Sequence, residues 1–164
     1  KNEYPAFEGG SFAVIDHSSF ISRLFAEGKL PRSAMQSERV VWHDPCYLAR
    51  QNGIVRAPRE VLAAVGSAEF DPAECGANTL CCGAGGGQMW TDQKKQKKRI
   101  NVIRLESLQN TASQCGASKI ATGCPHCLTM LESAKPMVNG AQELQVLDIA
   151  EVVAAKLPDE ASPT

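Results

Sequence analysis

The sequence carries almost no net charge: 17 lysines and arginines against 18 aspartates and glutamates leave −1 at pH 7. Without a basic surplus there is no global electrostatic case for nucleic acid or for an anionic membrane surface. No apolar run approaches the ~20 residues that cross a bilayer, so no transmembrane segment is expected. The opening KNEYPAFEGG lacks the apolar stretch of a secretory signal. It starts on Lys rather than Met, from which a fragment or a processed chain is expected. The glycine run at 83–87 is followed by no Gly-Lys-Ser/Thr, which excludes a Walker-type phosphate loop. It is preceded by two cysteines instead of a strand ending in Gly-x-Gly-x-x-Gly, so a flavin or nicotinamide fingerprint is missing too. What remains, at 164 residues and 43% hydrophobic, is a globular chain large enough for one core.

Short apolar runs alternate with amphipathic stripes. Residues 12–16 (FAVID) read as a strand, and Phe20, Ile21, Leu24 and Phe25 as a helix that ends near Gly28. Residues 31–38 read as a linker. Residues 39–43 (RVVWH) form a buried-type strand leading into an Asp44-Pro45-Cys46 turn. Pro58 opens a helix with Val61, Leu62 and Val65 on one face, and 68–70 is a short strand. After the irregular CGANTLCCGAGGGQ, Asp92 is placed to cap a long helix reaching about residue 114. Ile100, Val102, Ile103, Leu105 and Leu108 make its buried face. A strand at 118–122, a helix starting at Cys124-Pro125, a strand at 144–147 and a helix to Leu157 complete the series. Alternation of this kind predicts an α/β fold, layered, with a mainly parallel sheet flanked by helices. Ligand loops then lie at the carboxyl ends of the strands. The expected division is a strand-helix and linker over 1–38, a cysteine-rich domain over 39–157 and a flexible tail over 158–164.

Seven cysteines, an odd number, argue against a complete disulfide framework. Five fall into a pattern: Cys46, the adjacent Cys81-Cys82, and Cys124-x-x-Cys127. Thiolates are the ligands of iron–sulfur clusters and soft metals. Cys124 sits at a helix N-cap with Pro125 behind it, where the helix dipole lowers a thiol pKa. Two consecutive cysteines rarely reach one mononuclear ion without distortion, whereas several irons relax that constraint. Gly83 and the glycines after it let backbone amides approach sulfur closely. Spacing alone leaves iron–sulfur or zinc open, with zinc using four of the five thiols.

The segments HDPCYLAR, CCGAGGGQMW and GCPHCLTML resemble the cysteine-rich CCG domain. That domain occurs in heterodisulfide reductase and in the iron–sulfur subunits of glycolate, lactate and anaerobic glycerol-3-phosphate oxidoreductases. RQNGIVRAPR and RINVIRLES look closest to the proteins that pass electrons from electron-transfer flavoprotein to quinone. The resemblance covers roughly residues 39–157. It implies a non-cubane [4Fe-4S] cluster on Cys46, Cys81, Cys82, Cys124 and Cys127. It also implies an electron-transfer module of a larger oxidoreductase, not active alone, between a flavin or flavoprotein donor and a quinone or disulfide acceptor. Implied partners are other redox subunits, or an N-terminal region with ferredoxin-like and second CCG modules. The implied location is the cytoplasm, at the inner face of the membrane through regions outside this sequence.

Two other function classes stay open: a structural zinc module of a multisubunit assembly, and a thiol–disulfide oxidoreductase using Cys124 and Cys127. The latter leaves Cys46 and the Cys81-Cys82 pair without a purpose. Cys75 and Cys115 fall outside the pattern and read as spare or packed thiols. His43 reads as a sulfur hydrogen-bond donor, a proton relay or a packing residue; His126 as exposed; His17 as a helix-start residue. Lys94 through Arg99 read as a basic helix start, either solvated or docking an acidic redox partner or lipid headgroups. Trp42 and Trp90 are expected to shield the site from water, and Met89 with Trp90 to form an exposed apolar patch.

Overall fold

The computed structural model describes residues 3–33, 38–91 and 97–158. Val40, Val41, Trp42 and His43 are all fully buried, the signature of a strand covered on both faces. They belong to β1 (Glu38–His43), which lies inside a four-stranded sheet with β2 (Ser67–Phe70), β3 (Lys119–Thr122) and β4 (Gln145–Asp148). The order is β2-β1-β3-β4, and every pairing is parallel. The expected parallel, layered α/β fold is the observed one.

Alternation along the strands sorts the core into two layers. Val41, Ile120 and Val146 face α3 (Ile100–Cys115) and α4 (Pro125–Ala134), packing on Leu105, Leu108 and Leu131. Val40, Trp42 and Ala121 face the other way. They pack on Phe25 of α1 (His17–Ala26), Val61 and Leu62 of α2 (Arg56–Ala64) and Ile149 of α5 (Ile149–Ala154). Each such side chain contributes on the order of 1.5–3 kcal/mol on burial. The chain leaves β1 through α2 to reach β2, then returns through α3 to β3 on the opposite side of β1. The loops after β1 and β3 therefore diverge at a topological switch point, the place where open parallel sheets bind ligands.

Local chemistry fixes the helix ends. Asp16 caps α1 by accepting from Ser19 N–H at 2.9 Å, and Asp148 with Glu151 forms a capping box on α5. Cys124 is the N-cap of α4, with Pro125 at its first position.

Several local expectations are corrected. Residues 12–16 form no strand; among the described residues they have no ladder partner, and Phe12, Val14 and Ile15 are exposed. Helix α2 starts at Arg56, so Pro58 sits in its first turn, where N–H groups lack intrahelical partners anyway. Helix α3 starts only at Ile100. The placement of Asp92 as its cap, and of Lys94 and Lys95, lies outside the described residues, and Lys97 to Arg99 precede the helix. Ile103 is 44% exposed, off the buried stripe of Val102, Leu105 and Leu108. A π-helical turn at Tyr47–Gln51, directly after Cys46, was not foreseen.

Candidate metal centre

The five patterned cysteines come from separate loops and one helix start, and all five line a single cavity of about 400 Å³. Cys46 follows β1, Cys81 and Cys82 come from the loop before α3, and Cys124 and Cys127 begin α4. Cys82 and Cys127 are buried and pack on Met130; the other three are half-buried. Pro45, Tyr47, Ala84, Gly85, Met89 and His126 complete the wall. All seven cysteines are free thiols. Cys75 and Cys115 do not line the cavity. Cys115 packs against the α3–α4 core.

Asp44 ties the Cys46 turn to the loop carrying Cys81 and Cys82. Its carboxylate accepts from Trp42 Nε1 at 2.8 Å, Gly76 N at 2.7 Å and Arg59 Nη2 at 2.8 Å. Its carbonyl accepts from Thr79 Oγ1 at 2.9 Å. Burial alone would raise the carboxyl pKa, but those donors together hold it below its ordinary value. Arg50 adds a second tie by donating to the Thr79 carbonyl.

Gly83 is forced by the same loop. Its φ is +85°, and an added Cβ would sit 3.1 Å from Ile100 Cβ and 3.3 Å from Asn101 N. Glycine meets both demands at once. Its N–H donates to Cys81 Sγ at 3.3 Å, a backbone amide delivered to sulfur.

The thiols are electrostatically unequal. Cys127 donates toward Cys124 and Cys82, which pushes its own pKa up. The same bonds push its partners down: Cys82 also has His43 and the Ala84 amide beside it. Cys124, helped by the Cys127 and His126 amides at the helix start, falls to about 6. Burial first, then the neighbouring Cys81 and Cys82, raises Cys46. These contacts favour the thiolate form at Cys82 and Cys124, the form that binds metal.

His43 is fully buried at the end of β1. A ring nitrogen of His43, Cys82 Sγ and Cys127 Sγ all lie within 4.8 Å of one another. Arg104 Nε donates to His43 Nδ1 at 2.9 Å. Burial lowers the His43 pKa most, against a smaller upward pull from Cys82. Among the described residues, His43 Nε2 and Thr122 Oγ1, on register-paired residues, are buried without a hydrogen-bond partner. Five converging thiols with unsatisfied buried donors behind them fit a polynuclear, thiolate-held group.

His126 is exposed at the rim, and His17 pairs with Asp148 at 3.2 Å. The tryptophans do not wall the cavity. Trp42 faces the α1–α2 layer and reaches the site only through Asp44, while Trp90 is 83% exposed. Met89 and Tyr47 stand where the tryptophans were expected. Asp44, Thr79 and Arg104 were missed in the sequence. The one available signal was a charge at 104 on the buried stripe of α3, between Asn101 and Leu108.

The family model of the CCG cysteine-rich domain matches residues 40–132. A probable membrane-anchored ferredoxin of Chromohalobacter salexigens is 41% identical over 161 residues, 96% of this chain and 23% of that protein. An EtfAB:quinone oxidoreductase of Syntrophomonas wolfei is 36% identical over 159 residues, 93% of this chain and 22% of that protein. One component of the dihydromethanophenazine:CoB–CoM heterodisulfide reductase of Methanosarcina barkeri is 29% identical over 147 residues, 89% of this chain and 34% of that protein. The chain therefore spans about a fifth to a third of the relatives it matches. Their names speak of redox proteins and, through ferredoxin, of iron–sulfur; none of the three speaks of zinc, so the zinc alternative gains no support from them. Among the described residues no helix is long and apolar enough to cross a membrane.

Proposed function

The chain belongs to the CCG cysteine-rich domain family, and from that premise we propose that it is the iron–sulfur electron-transfer module of a larger oxidoreductase. Residues 39–157 are the cysteine-rich unit, 1–38 an N-terminal extension and 158–164 a tail. Cys46, Cys81, Cys82, Cys124 and Cys127 hold a non-cubane [4Fe-4S] cluster, which when bound supplies one-electron transfer at the switch point of the sheet. The single observation that carries this is the convergence of all five thiols on one cavity. Cys82 and Cys124 enter as thiolates. The Gly83 amide steadies sulfur charge, and Met89 and Ala84 keep water from the cavity floor.

The donor is a flavin or flavoprotein and the acceptor a quinone or a disulfide, by analogy with what the relatives are named for. Two-electron substrate chemistry needs a cofactor for which this sequence has no fingerprint. Other redox modules of the parent protein or its partners therefore supply it, at the cytoplasmic face of the membrane. The test is anaerobic reconstitution with iron and sulfide, followed by iron and sulfide analysis and EPR. About four irons per chain, with a visible absorption band and an EPR signal unlike a cubane's, is expected. A colourless chain that keeps neither iron nor sulfide would overturn the proposal.

A further inference from the structure

The side chain of Arg104 is fully buried in the middle of α3, yet among the described residues it donates to no carboxylate. Its guanidinium meets His43 Nδ1 at 2.9 Å, the Glu74 carbonyl at 3.1 Å and Thr79 Oγ1 at 3.5 Å. Burying an unpaired cation is costly unless a negative charge lies close by. The negative charges that act on it are the Glu74 and Asp44 carboxylates first and the Cys127 sulfur after them, and His43 is the side chain that links it to the thiols. Arginine cannot give up its proton, so the nitrogen it meets on His43 has to be an acceptor. His43 is therefore held as the tautomer protonated at Nε2. That nitrogen has no partner among the described residues, and the ring sits within a 4.8 Å group with the Cys82 and Cys127 sulfurs.

We infer that Arg104 is a positioning residue for the sulfur site: it fixes His43 as an Nε2–H donor toward the Cys82 and Cys127 sulfurs, and it places a buried positive charge beside that ring. Its bonds to Glu74 and Thr79 do a separate job, seating the loop that leads to Cys81. Hydrogen bonds to ligand sulfur and nearby charge are what set an iron–sulfur potential. That half rests on the iron–sulfur function proposed above. The tautomer half does not.

The experiment has two readouts. In the full, reduced, metal-free chain labelled with ¹⁵N, NMR should show His43 protonated at Nε2 and bare at Nδ1. Arg104→Met should release that preference, and Arg104→Lys, which keeps a charged donor, should restore it. After reconstitution with iron and sulfide, EPR-monitored titration should show Arg104→Met harder to reduce. The expected size is a tenfold or larger shift in the reduced-to-oxidised ratio at fixed potential, about 59 mV for one electron. Arg104→Lys should stay near wild type. A purely structural role would lower the melting temperature of both variants and leave tautomer and potential unchanged. His43 protonated at Nδ1 in the wild type, or an unshifted potential in an Arg104→Met chain with full iron, overturns the inference. If Arg104→Met does not fold, the wild-type tautomer and the lysine variant decide. If the wild type takes up no iron, the proposed function fails while the tautomer result still stands for or against this role.

Discussion

The Asp44 carboxylate, two residues before Cys46, lies 2.8 Å from Arg59 Nη2, and Arg59 in turn meets Asp71 and Glu69 on the far side. One buried carboxylate thereby links the end of β1, the first turn of α2 and the loop that leads to Cys81. Asp44→Ala removes the acceptor for Trp42, Gly76 and Arg59 together. Breaking a buried pair this way costs about 3–5 kcal/mol. We expect the unfolding free energy obtained by urea denaturation to fall by that amount, with a lower midpoint and less iron retained per chain. An unchanged midpoint would show that the network is ornamental.

Gly83 is the second structural test. A methyl group there meets both a φ of +85° and the first turn of α3. The left-handed conformation alone costs about 1–2 kcal/mol for a non-glycine residue, and relieving the contact moves the Cys81–Cys82 backbone. Gly83→Ala should lose at least that much stability. Gly85→Ala, where φ is not left-handed and a Cβ meets nothing within 4 Å, should lose no stability and gain at most about 1 kcal/mol. Chemical denaturation of the two metal-free variants compares them directly.

The grouping of the five cysteines was largely legible in the sequence because they are a rare residue type at marked spacings. Cys46, Cys81, Cys82, Cys124 and Cys127 could be grouped without coordinates, and strand–helix alternation foretold the parallel sheet that gathers them. What supports them was harder to read. Asp44 and Thr79 act through hydrogen bonds to residues far away along the chain, and no local pattern encodes those pairings. Arg104 hides on an apolar stripe and reads there as a helix-surface charge. The FAVID segment shows the converse failure: an apolar run satisfies strand propensity, but a strand exists only where a neighbour completes its ladder.

Glu69 gives a pH dependence with a definite sign. Burial, and then the charge of Asp71, raises its carboxyl from 4.5 to about 7, against a downward pull from Arg59. A carboxyl with a raised folded pKa binds its proton more tightly in the folded state. Its stabilising contribution is therefore complete below pH 4.5 and is lost as pH rises through about 7. Glu69→Gln should be more stable than wild type at pH 8 by about 1–3 kcal/mol, and the gap should close toward pH 4.5. Equal stabilities for the two proteins across that window would refute the shift.

Cysteine-to-serine replacement distinguishes a five-thiolate polynuclear centre from a four-ligand ion. A tetrahedral ion needs four thiolates and tolerates the loss of whichever cysteine it does not use. A cluster that engages all five should respond to each. Cys46, Cys81, Cys82, Cys124 and Cys127 all line the cavity, whereas Cys75 and Cys115 do not, and Cys115 instead packs beside the α3–α4 core. We therefore expect serine at any of the first five positions to cut iron per chain several-fold after anaerobic reconstitution, with the buried Cys82 and Cys127 most severe. Serine at Cys75 or Cys115 should leave iron and sulfide at wild-type levels and change only melting temperature. Full iron content in any one of the five single variants would remove that cysteine from the ligand set and return the centre to four ligands.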